Sequence, residues 1–370
     1  MDIPWIRGKV AQQAHVGLPD GTVEDEYGRD GFFGRYAHLY RTHAPVGWTR
    51  IEGPCRPRAF DLAEVPASRE LSRRPILENA DVTLSVVRLE APMDAYARNA
   101  DGDELYFVHA GAGRLETDFG PLAYAPGDYL LVPRGTTHRF APTSPTFLMS
   151  IEARSEIRFP DKGILGHHAL VDPAVLRVPT PGEASSLEAD AQGEWRVDVK
   201  RDGEITRVFY PFSPLDVVGW KGTVSVMQLN VADIRPVSSD RYHLPPTAHA
   251  TFVMRDAVVC TFLPRPLENG DPTALKVPFY HSNIDYDEVL FYHNGDFFSR
   301  RGISPAMLTL HPQGIHHGPQ PGAKERAAGL SRTDEVAVML DTKNRLRVAD
   351  GADAFERADY WKSWQTKETR

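Results

Sequence analysis

The residue types best suited to bind a metal or to move protons recur at matched places in the two halves of this 370-residue chain. Each half has a glutamate seven residues before a glycine and, downstream of it, a PxGxxH turn that ends in a histidine. The residues are Glu104, Gly111 and His138 in the first half and Glu288, Gly295 and His317 in the second. Such a repeat predicts a duplicated unit in which an acid and an imidazole come together.

These two elements resemble the two cupin motifs, G(x)5HxH(x)3-4E(x)6G and G(x)5PxGxxH(x)3N. Where the motif has its HxH pair, the first half has ARN at 97–99, which predicts that this half has lost its metal. The second half has HSN at 281–283, so the resemblance implies metal ligation by His281, Glu288 and His317. Two imidazoles and one carboxylate suit Fe(II) and leave coordination positions open for substrate and O2.

Two adjacent residues could replace the expected ligands. Asp287 precedes Glu288 and His316 precedes His317, and successive side chains on a strand point to opposite faces, so one of each pair can point inward. The repeated Glu to Gly interval favours Glu288, and the match to the first half favours His317. Two further histidines could either orient ligands or lie at the surface, namely His293 and His311.

Short strands must position these residues. From Asp81 onward, runs of six to nine residues rich in Val, Leu, Tyr, Phe and Thr are bounded by Gly, Pro or Asp, which is typical of antiparallel strands. Helix-like spacing is confined to 63–72 and 351–367. The predicted fold class is therefore all-β, with two cupin domains of the jelly-roll β-barrel type, peripheral helices and a C-terminal helix.

A polar segment at 179–203, rich in Gly, Pro and acids, marks the connection between the two halves. The expected divisions are an N-terminal arm and loop-rich segment at 1–75, a first cupin with a degenerate metal site at 76–160, a connecting segment at 161–205, a second cupin with the metal site at 206–348, and a C-terminal helix at 349–370.

Composition excludes several classes of protein. The chain has 42 Lys plus Arg against 50 Asp plus Glu, a net charge of −8, and no basic block, so nucleic acid is not an expected partner. Its two cysteines, Cys55 and Cys260, are too few and too far apart for a disulfide framework or a thiolate metal site. No apolar run approaches the 18 or so residues of a membrane span, and the first residues lack a secretory apolar region, so we expect a cytoplasmic protein.

Longer segments resemble the homogentisate 1,2-dioxygenase family over most of the chain and in order. The segments are GFFGRYAHLYRTHAPVGWTRIEGPCRPRAFD from Gly31, SPLDVVGWKGTVSVMQLNV from Ser213, HLPPTAHATF from His243, YHSN from Tyr280 and IHHGPQP from Ile315. The resemblance implies a mononuclear Fe(II) held by the three residues named above, and insertion of O2 into homogentisate to give maleylacetoacetate.

The same resemblance assigns other roles. The last histidine of the stretch His-x-Pro-Pro-x-x-His corresponds to His249, which it makes the acid/base residue. It places substrate contacts at His243, Asn283 and Phe297. Phe297 follows Gly295 where the family has a tyrosine, so a hydroxyl near the substrate is missing and the substrate could differ.

The expected activity is ring cleavage of homogentisate. The alternatives are a dioxygenase for gentisate or another substituted hydroquinone, and a metal-binding bicupin without turnover. Arg241, Arg300 and Arg301 could hold a substrate carboxylate, although the Arg300-Arg301 pair is predicted to lie in an exposed turn. Expected partners are a small aromatic substrate and O2, in a homo-oligomer that the resemblance implies is a trimer or hexamer.

Overall fold

The computed structural model describes residues 3, 5–68, 71–182, 185–276 and 279–365. Across these residues the chain forms 22 strands, one short α-helix, α1 (Ala323–Ala327), and seven 3-10 helices. No helix in these ranges has the length and apolar character needed to span a bilayer. The 3-10 helices are Leu62–Glu64, Gly163–Leu165, Pro173–Val175, Val231–Asp233, Pro246–His249, Ala352–Phe355 and Tyr360–Trp364.

The strands are short, as the alternating pattern predicts. Those of the first part of the chain are β1 (Val23–Gly28), β2 (Tyr36–Arg41), β3 (Arg58–Asp61), β4 (Arg74–Glu78), β5 (Val82–Leu89), β6 (Tyr96–Asn99), β7 (Asp103–Ala110), β8 (Gly113–Thr117), β9 (Leu122–Tyr124), β10 (Asp128–Val132), β11 (Thr137–Pro142) and β12 (Thr146–Ala153). Those of the second part are β13 (Trp195–Arg201), β14 (Glu204–Tyr210), β15 (Met227–Asn230), β16 (Ala250–Met254), β17 (Ala257–Phe262), β18 (Tyr280–Asn283), β19 (Asp287–Asn294), β20 (Met307–His311), β21 (Val336–Thr342) and β22 (Arg347–Val348).

Four sheets build two barrels. The first barrel combines a seven-stranded sheet, in the order β15-β10-β7-β12-β5-β4-β22, with a six-stranded sheet, in the order β14-β13-β6-β11-β8-β9. The second combines the six-stranded sheet β16-β17-β21-β19-β20-β3 with the three-stranded sheet β18-β1-β2. The all-β class with two cupin domains is confirmed.

Strand register confirms the internal duplication. In the first barrel, Glu104 on β7 lies between Val132 of β10 and Glu152 of β12. In the second barrel, Glu288 on β19 lies between His311 of β20 and Asp341 of β21. The strands β7 and β19 therefore occupy the same place in their barrels.

The histidine pairs match in the same way. His138 pairs with Ala97 between β11 and β6. His317 forms a bridge with His281, each residue donating its backbone N–H to the carbonyl of the other at 3.0 Å. Ala97 therefore stands where the second barrel has His281.

The glycine seven residues after each glutamate has one structural role in both barrels. Gly111 and Gly295 have φ of +86° and +95°, in the left-handed region that favours glycine. A Cβ on Gly111 would lie 2.3 Å from the Pro145 carbonyl oxygen, and one on Gly295 would lie 1.8 Å from that of Asp334. The interval found in the sequence thus marks a turn pressed against a neighbouring backbone.

The two barrels share one hydrophobic core. Phe107 of β7 packs edge-on to Phe291 of β19, and Tyr129 of β10 packs against Phe252 of β16. All four are almost fully buried, and burial of each such ring contributes about 1.5–3 kcal/mol. The barrels are therefore fixed relative to each other, which holds the sheets that carry the candidate ligands.

Strand pairing does not follow the chain divisions expected from the sequence. Segment 1–75 supplies β1, β2 and β3, which belong to the second barrel, although it was expected to be an arm with loops. Strand β14, which crosses the expected boundary at 206, and strand β15, inside the expected second cupin at 206–348, complete edges of the first barrel instead. Long-range pairing covers edges that would otherwise expose unpaired backbone groups, and local patterns do not show it.

The C-terminal segment 349–370 is not one continuous helix. It forms 3-10 helices at Ala352–Phe355 and Tyr360–Trp364, separated by extended backbone at Glu356, and 366–370 lie outside the described residues. Glu356 bridges to Phe60 and pairs with Arg58 at 2.7 Å, and these tertiary contacts override the helical spacing. The short helical turn expected within 63–72 is the 3-10 helix Leu62–Glu64, and residues 69 and 70 lie outside the described ranges.

Candidate metal centre and substrate cavity

Three buried side chains converge inside the second barrel. His281 comes from β18, Glu288 from the start of β19, and His317 from the turn after β20. One ligand atom from each lies within 4.8 Å of the others. Glu288 Oε2 is 3.7 Å from His281 Nε2 and 3.4 Å from His317 Nε2. This is the spatial arrangement that a metal held by two imidazoles and one carboxylate requires.

The backbone fixes which ring nitrogen faces the cluster. His281 Nδ1 lies 3.0 Å from the Phe279 carbonyl, and His317 Nδ1 lies 3.3 Å from that of Ile315, so each ring donates from Nδ1. The two Nε2 atoms are buried and have no hydrogen-bond partner. A buried nitrogen lone pair without a partner is costly, and a metal ion is the partner that fits both atoms at once.

Glu288 is held as a carboxylate. Burial would raise its pKa, but the neighbouring His317 and His281, together with the hydrogen bond from His311, hold the pKa well below its usual range. His311 Nδ1 lies 2.7 Å from Glu288 Oε1, and its Nε2 lies 3.3 Å from the Tyr360 hydroxyl. His311 therefore orients Glu288, which is one of the two roles that the sequence left open for it.

The adjacent residues point elsewhere. Asp287 accepts hydrogen bonds from the backbone N–H groups of Gln313 and Leu346, both at 2.7 Å. His316 Nε2 lies 3.3 Å from Asp25 on the other side of the strand pair. The structure thus brings Glu288 and His317 into the cluster and leaves out both alternatives.

A cavity opens onto the cluster. His281 and Glu288 form part of its wall, and apolar side chains including Phe262, Leu290 and Met339 form another part. Its polar wall is made by His243, His249, Arg265, Arg300 and Glu335. An apolar cavity with a few polar groups beside a candidate metal centre is suited to a small aromatic ligand.

His249 and His243 both line this cavity. His249 ends the 3-10 helix Pro246–His249, and its buried Nδ1 has no hydrogen-bond partner. Burial, with the nearby charges of Arg265 and His243, lowers the pKa of His249 to about 3, so its ring is neutral at physiological pH. His243 is tied by Nδ1 to Glu268 Oε1 at 3.1 Å.

Two arginine side chains in the cavity wall are buried: Arg300, which the sequence offered as a possible carboxylate ligand although it favoured an exposed turn, and Arg265, which it did not name. Arg300 was predicted in an exposed turn; instead its guanidinium lies 5.3 Å over the Trp364 ring and donates to the Gly318 carbonyl at 2.6 Å. Arg265 has an Nη1 without a hydrogen-bond partner, its nearest carboxylate being Glu335 at 3.9 Å. No motif or spacing marks Arg265, because only the tertiary fold brings it to the site.

Three other predicted residues lie elsewhere or are only partly described. Phe297 packs on Tyr292, with ring centroids 4.8 Å apart, in a hydrophobic cluster and does not line the cavity. The backbone of Asn283 ends β18, and its side chain lies outside the described part of the structure. His293 contacts His109 of the first barrel at 3.0 Å and does not reach the ligands.

Two β-barrels in one chain, one with a two-histidine, one-carboxylate cluster beside a cavity, define a bicupin with a candidate mononuclear metal centre. Residues 74–230 match the family described as homogentisate 1,2-dioxygenase N-terminal. A protein of Saccharolobus solfataricus named "Putative dioxygenase SSO1533" is 32% identical over 97% of this chain and 98% of its own length. The chain belongs to the homogentisate dioxygenase family of cupin proteins.

The chain is also similar to more distant proteins. The homogentisate 1,2-dioxygenase of Rhizobium leguminosarum bv. trifolii is 26% identical over 75% of this chain. The chain spans 64% of the length of that relative. Among solved structures, a cupin 2 conserved barrel domain protein from Leptotrichia buccalis aligns with 80% of this chain and 99% of its own, at 9% identity and a TM-score of 0.37.

Proposed function

We propose that this protein is an Fe(II)-dependent dioxygenase that opens the ring of a hydroquinone bearing a carboxylate, with homogentisate as the leading substrate and maleylacetoacetate as its product. The observation that carries the proposal is the convergence of two buried Nε2 atoms without hydrogen-bond partners and one carboxylate, with His281 and Glu288 in the wall of a largely apolar cavity. Membership of a family of dioxygenases supports the same reaction class.

His281, Glu288 and His317 would hold the iron. Bound there, Fe(II) would supply Lewis acidity toward a ring hydroxyl and the ability to activate O2. Three protein ligands leave positions for substrate and oxygen, whereas a structural site fills them with protein groups. Glu288, kept ionised by its neighbours, supplies the single negative charge of the set.

His249 would accept the proton of the ring hydroxyl. Its ring is neutral and its Nδ1 is free, so it can take a proton and return it as the ring opens. A cationic imidazole is costly in the empty cavity, because burial and Arg265 disfavour it. An anionic substrate would offset that cost, so proton transfer would be coupled to substrate binding.

Arg265 and Arg300 would bind the carboxylate of the substrate. Each has a buried guanidinium nitrogen without a partner, Nη1 of Arg265 and Nε of Arg300. A site with buried, unpaired donors discriminates strongly against a ligand that lacks the matching acceptor. Plain hydroquinone should therefore be a much poorer substrate than a ring that carries a carboxylate.

Oxygen uptake tests this proposal. Protein loaded anaerobically with Fe(II) is mixed with air-saturated homogentisate, gentisate or hydroquinone. Both atoms of O2 enter the product, so uptake should match homogentisate loss mole for mole, with hydroquinone slower by at least about 100-fold, a loss of about 2.7 kcal/mol of transition-state binding. Oxygen uptake with gentisate alone would indicate that gentisate, the alternative substrate, is the one that the protein cleaves. No uptake across the panel, with iron bound, would favour the bicupin without turnover.

A comparison of KM values for two substrates tests whether Arg265 binds the substrate carboxylate. Arg265→Met should raise the KM for homogentisate and change that for hydroquinone little, because only the former has the carboxylate. Equal effects on both substrates would show that Arg265 shapes the cavity without binding the carboxylate. The predicted cytoplasmic location and the trimer or hexamer stay predictions.

A further inference from the structure

A second group of histidine and glutamate side chains lies outside the cavity wall, where the N-terminal arm meets the second barrel. His15 comes from the arm, Glu24 from β1 and His38 from β2, and one ligand atom of each lies within 4.8 Å of the others. We propose that His15, Glu24 and His38 form a second, structural site for a divalent metal ion of the Zn²⁺ type.

The contacts within the group already approach those of a metal site. His15 Nδ1 contacts Glu24 Oε1, and the backbone N–H of His15 donates to the same carboxylate at 3.2 Å. Glu26, two residues along β1, adds a second carboxylate, 2.7 Å from His38 Nε2 and 4.0 Å from His15 Nε2. Ligands about 2.1 Å from a tetrahedral metal are about 3.4 Å apart, so small side-chain movements would suffice.

The charge of the group calls for a cation. Glu24 and Glu26 lie on the same face of β1 and are both buried. Within the described residues no lysine or arginine pairs with either of them. Arg41, the nearby cation, pairs with Asp25 on the opposite face at 2.6 Å. The two buried carboxylates bring two negative charges to the group, which a divalent ion would balance.

The donor set indicates a structural site and a preferred metal. The structure groups His15, Glu24 and His38, and if Glu26 turned toward the same ion it would add a fourth ligand that leaves no position for a substrate. Nitrogen and oxygen donors of this kind bind Zn²⁺ more tightly than Fe²⁺. Among the described residues both clusters have three grouped ligands, and they differ in that a further carboxylate, Glu26, lies next to the His15 group.

Metal at this group would fasten the arm to the strand that carries His281. The His15 ring stacks on Phe279, with centroids 4.1 Å apart and planes 7° from parallel. The Phe279 ring is in turn 5.5 Å from the His281 ring, and Leu275 donates its backbone N–H to the His15 carbonyl. A metal ion at His15 would therefore stabilise the segment just before β18.

Metal counting tests the site. Protein stripped with a chelator is saturated with Zn²⁺, and bound metal per chain is measured by mass spectrometry. We expect two equivalents in the unmodified protein, one in His38→Ala, one in Glu288→Gln and none in the double variant. His43→Ala changes an exposed histidine just beyond β2 and should retain two equivalents, as a matched control.

Two further measurements distinguish the loss of a metal ligand from misfolding of the variant. In the Glu288→Gln protein, Zn²⁺ should raise the Tm, and the added His38→Ala should abolish that rise while leaving the Tm in chelator within a few degrees. Co²⁺ bound to Glu288→Gln should show visible d–d absorption that His15→Gln removes.

One result of metal counting would contradict the proposed site at His15, and another would support that site while contradicting the proposed iron site. A single equivalent in the unmodified protein, lost in Glu288→Gln and kept in His38→Ala, would show that the His15 group is only a hydrogen-bonded network. A single equivalent lost in His38→Ala and kept in Glu288→Gln would support this site and contradict the proposed iron site.

Discussion

The two barrels place a buried glutamate at the same point and neutralise it in different ways. In the first barrel the Arg73 guanidinium contacts Glu104, which is also bonded by the Tyr106 hydroxyl at 2.9 Å. In the second barrel Glu288 faces the Nε2 atoms of His281 and His317, and the Arg300 guanidinium lies farther off, 3.8 Å from Glu288 Oε1. A buried carboxylate needs a positive partner. An arginine in direct contact has that role in the first barrel, whereas in the second barrel a metal between the two imidazoles and the carboxylate would share it with a more distant arginine.

The first barrel keeps one of the two histidines of the site and has lost the other. His138 still has its Nδ1 3.2 Å from the Thr136 carbonyl, the same backbone contact that orients His281 and His317. Its Nε2 lies 3.9 Å from Glu104 Oε2 and has no partner. With Ala97 in place of the other imidazole, two ligands remain, and an arginine supplies the missing charge.

The largest expected effect comes from changing the two glutamates separately. Glu288→Gln removes the only carboxylate among the three candidate ligands, so Fe(II)-dependent oxygen uptake should fall at least about 1000-fold, or about 4 kcal/mol. Glu104→Gln, the matched change in the first barrel, should leave uptake per folded molecule within about twofold. Equal losses in both variants would refute the division of roles between the barrels.

Replacement of Arg73, the cation that pairs with Glu104 in the first barrel, should lower the free energy of unfolding and leave oxygen uptake per folded molecule unchanged. Arg73→Met leaves Glu104 buried without a positive partner, which typically costs about 3–5 kcal/mol. Urea unfolding measures the loss, and adding Glu104→Gln should recover much of it. Arg74→Met changes the neighbouring exposed arginine and is the control. If Arg73→Met and Arg74→Met are equally stable, the guanidinium is not what stabilises the buried carboxylate.

The next effect concerns His311, whose counterpart in the first barrel is Val132. His311→Val removes the hydrogen bond to Glu288 and should weaken iron binding by about 10–100-fold, as loss of a group that orients a ligand usually does. The iron concentration that gives half-maximal oxygen uptake measures this. His311→Gln, which keeps a donor, should recover part of the affinity, and full affinity in the valine variant would rule out the orienting role.

The smallest effect is expected where the barrels meet. His109 and His293 contact each other across the interface, and burial lowers the pKa of each to about 4, helped for His109 by the neighbouring imidazole. Unfolded histidine titrates near 6.5, so below that pH the unfolded state takes up protons that the folded state does not. Stability should therefore decline as the pH falls from about 6.5 to about 4, by about 2 kcal/mol after allowance for partial exposure.

Unfolding at several pH values checks this interface effect. The double variant His109→Phe with His293→Leu should show a smaller decline over the same range than the unmodified protein. His168→Ala, at an exposed histidine, should leave the decline unchanged. A decline of the same size in all three proteins would show that other groups cause it.

The sequence predicted the features that repeat locally. The intervals around Glu104 and Glu288, and the two PxGxxH turns, predicted the duplicated barrels and the convergence of three side chains, because strand alternation and tight turns are local. Two other features depend on contacts between distant segments of the chain. They are the pairing of β1 with β18 and the position of the Arg300 side chain in the cavity wall. Arg73 carries no motif either, and only the fold shows that it neutralises Glu104.

The most direct test of the difference between the barrels is anomalous X-ray diffraction at the iron edge, from crystals grown with Fe(II) under anaerobic conditions. The account predicts a peak about 2.0–2.2 Å from His281 Nε2, Glu288 and His317 Nε2, and no peak beside Glu104 and His138. A peak in the first barrel, or none among His281, Glu288 and His317, would contradict it.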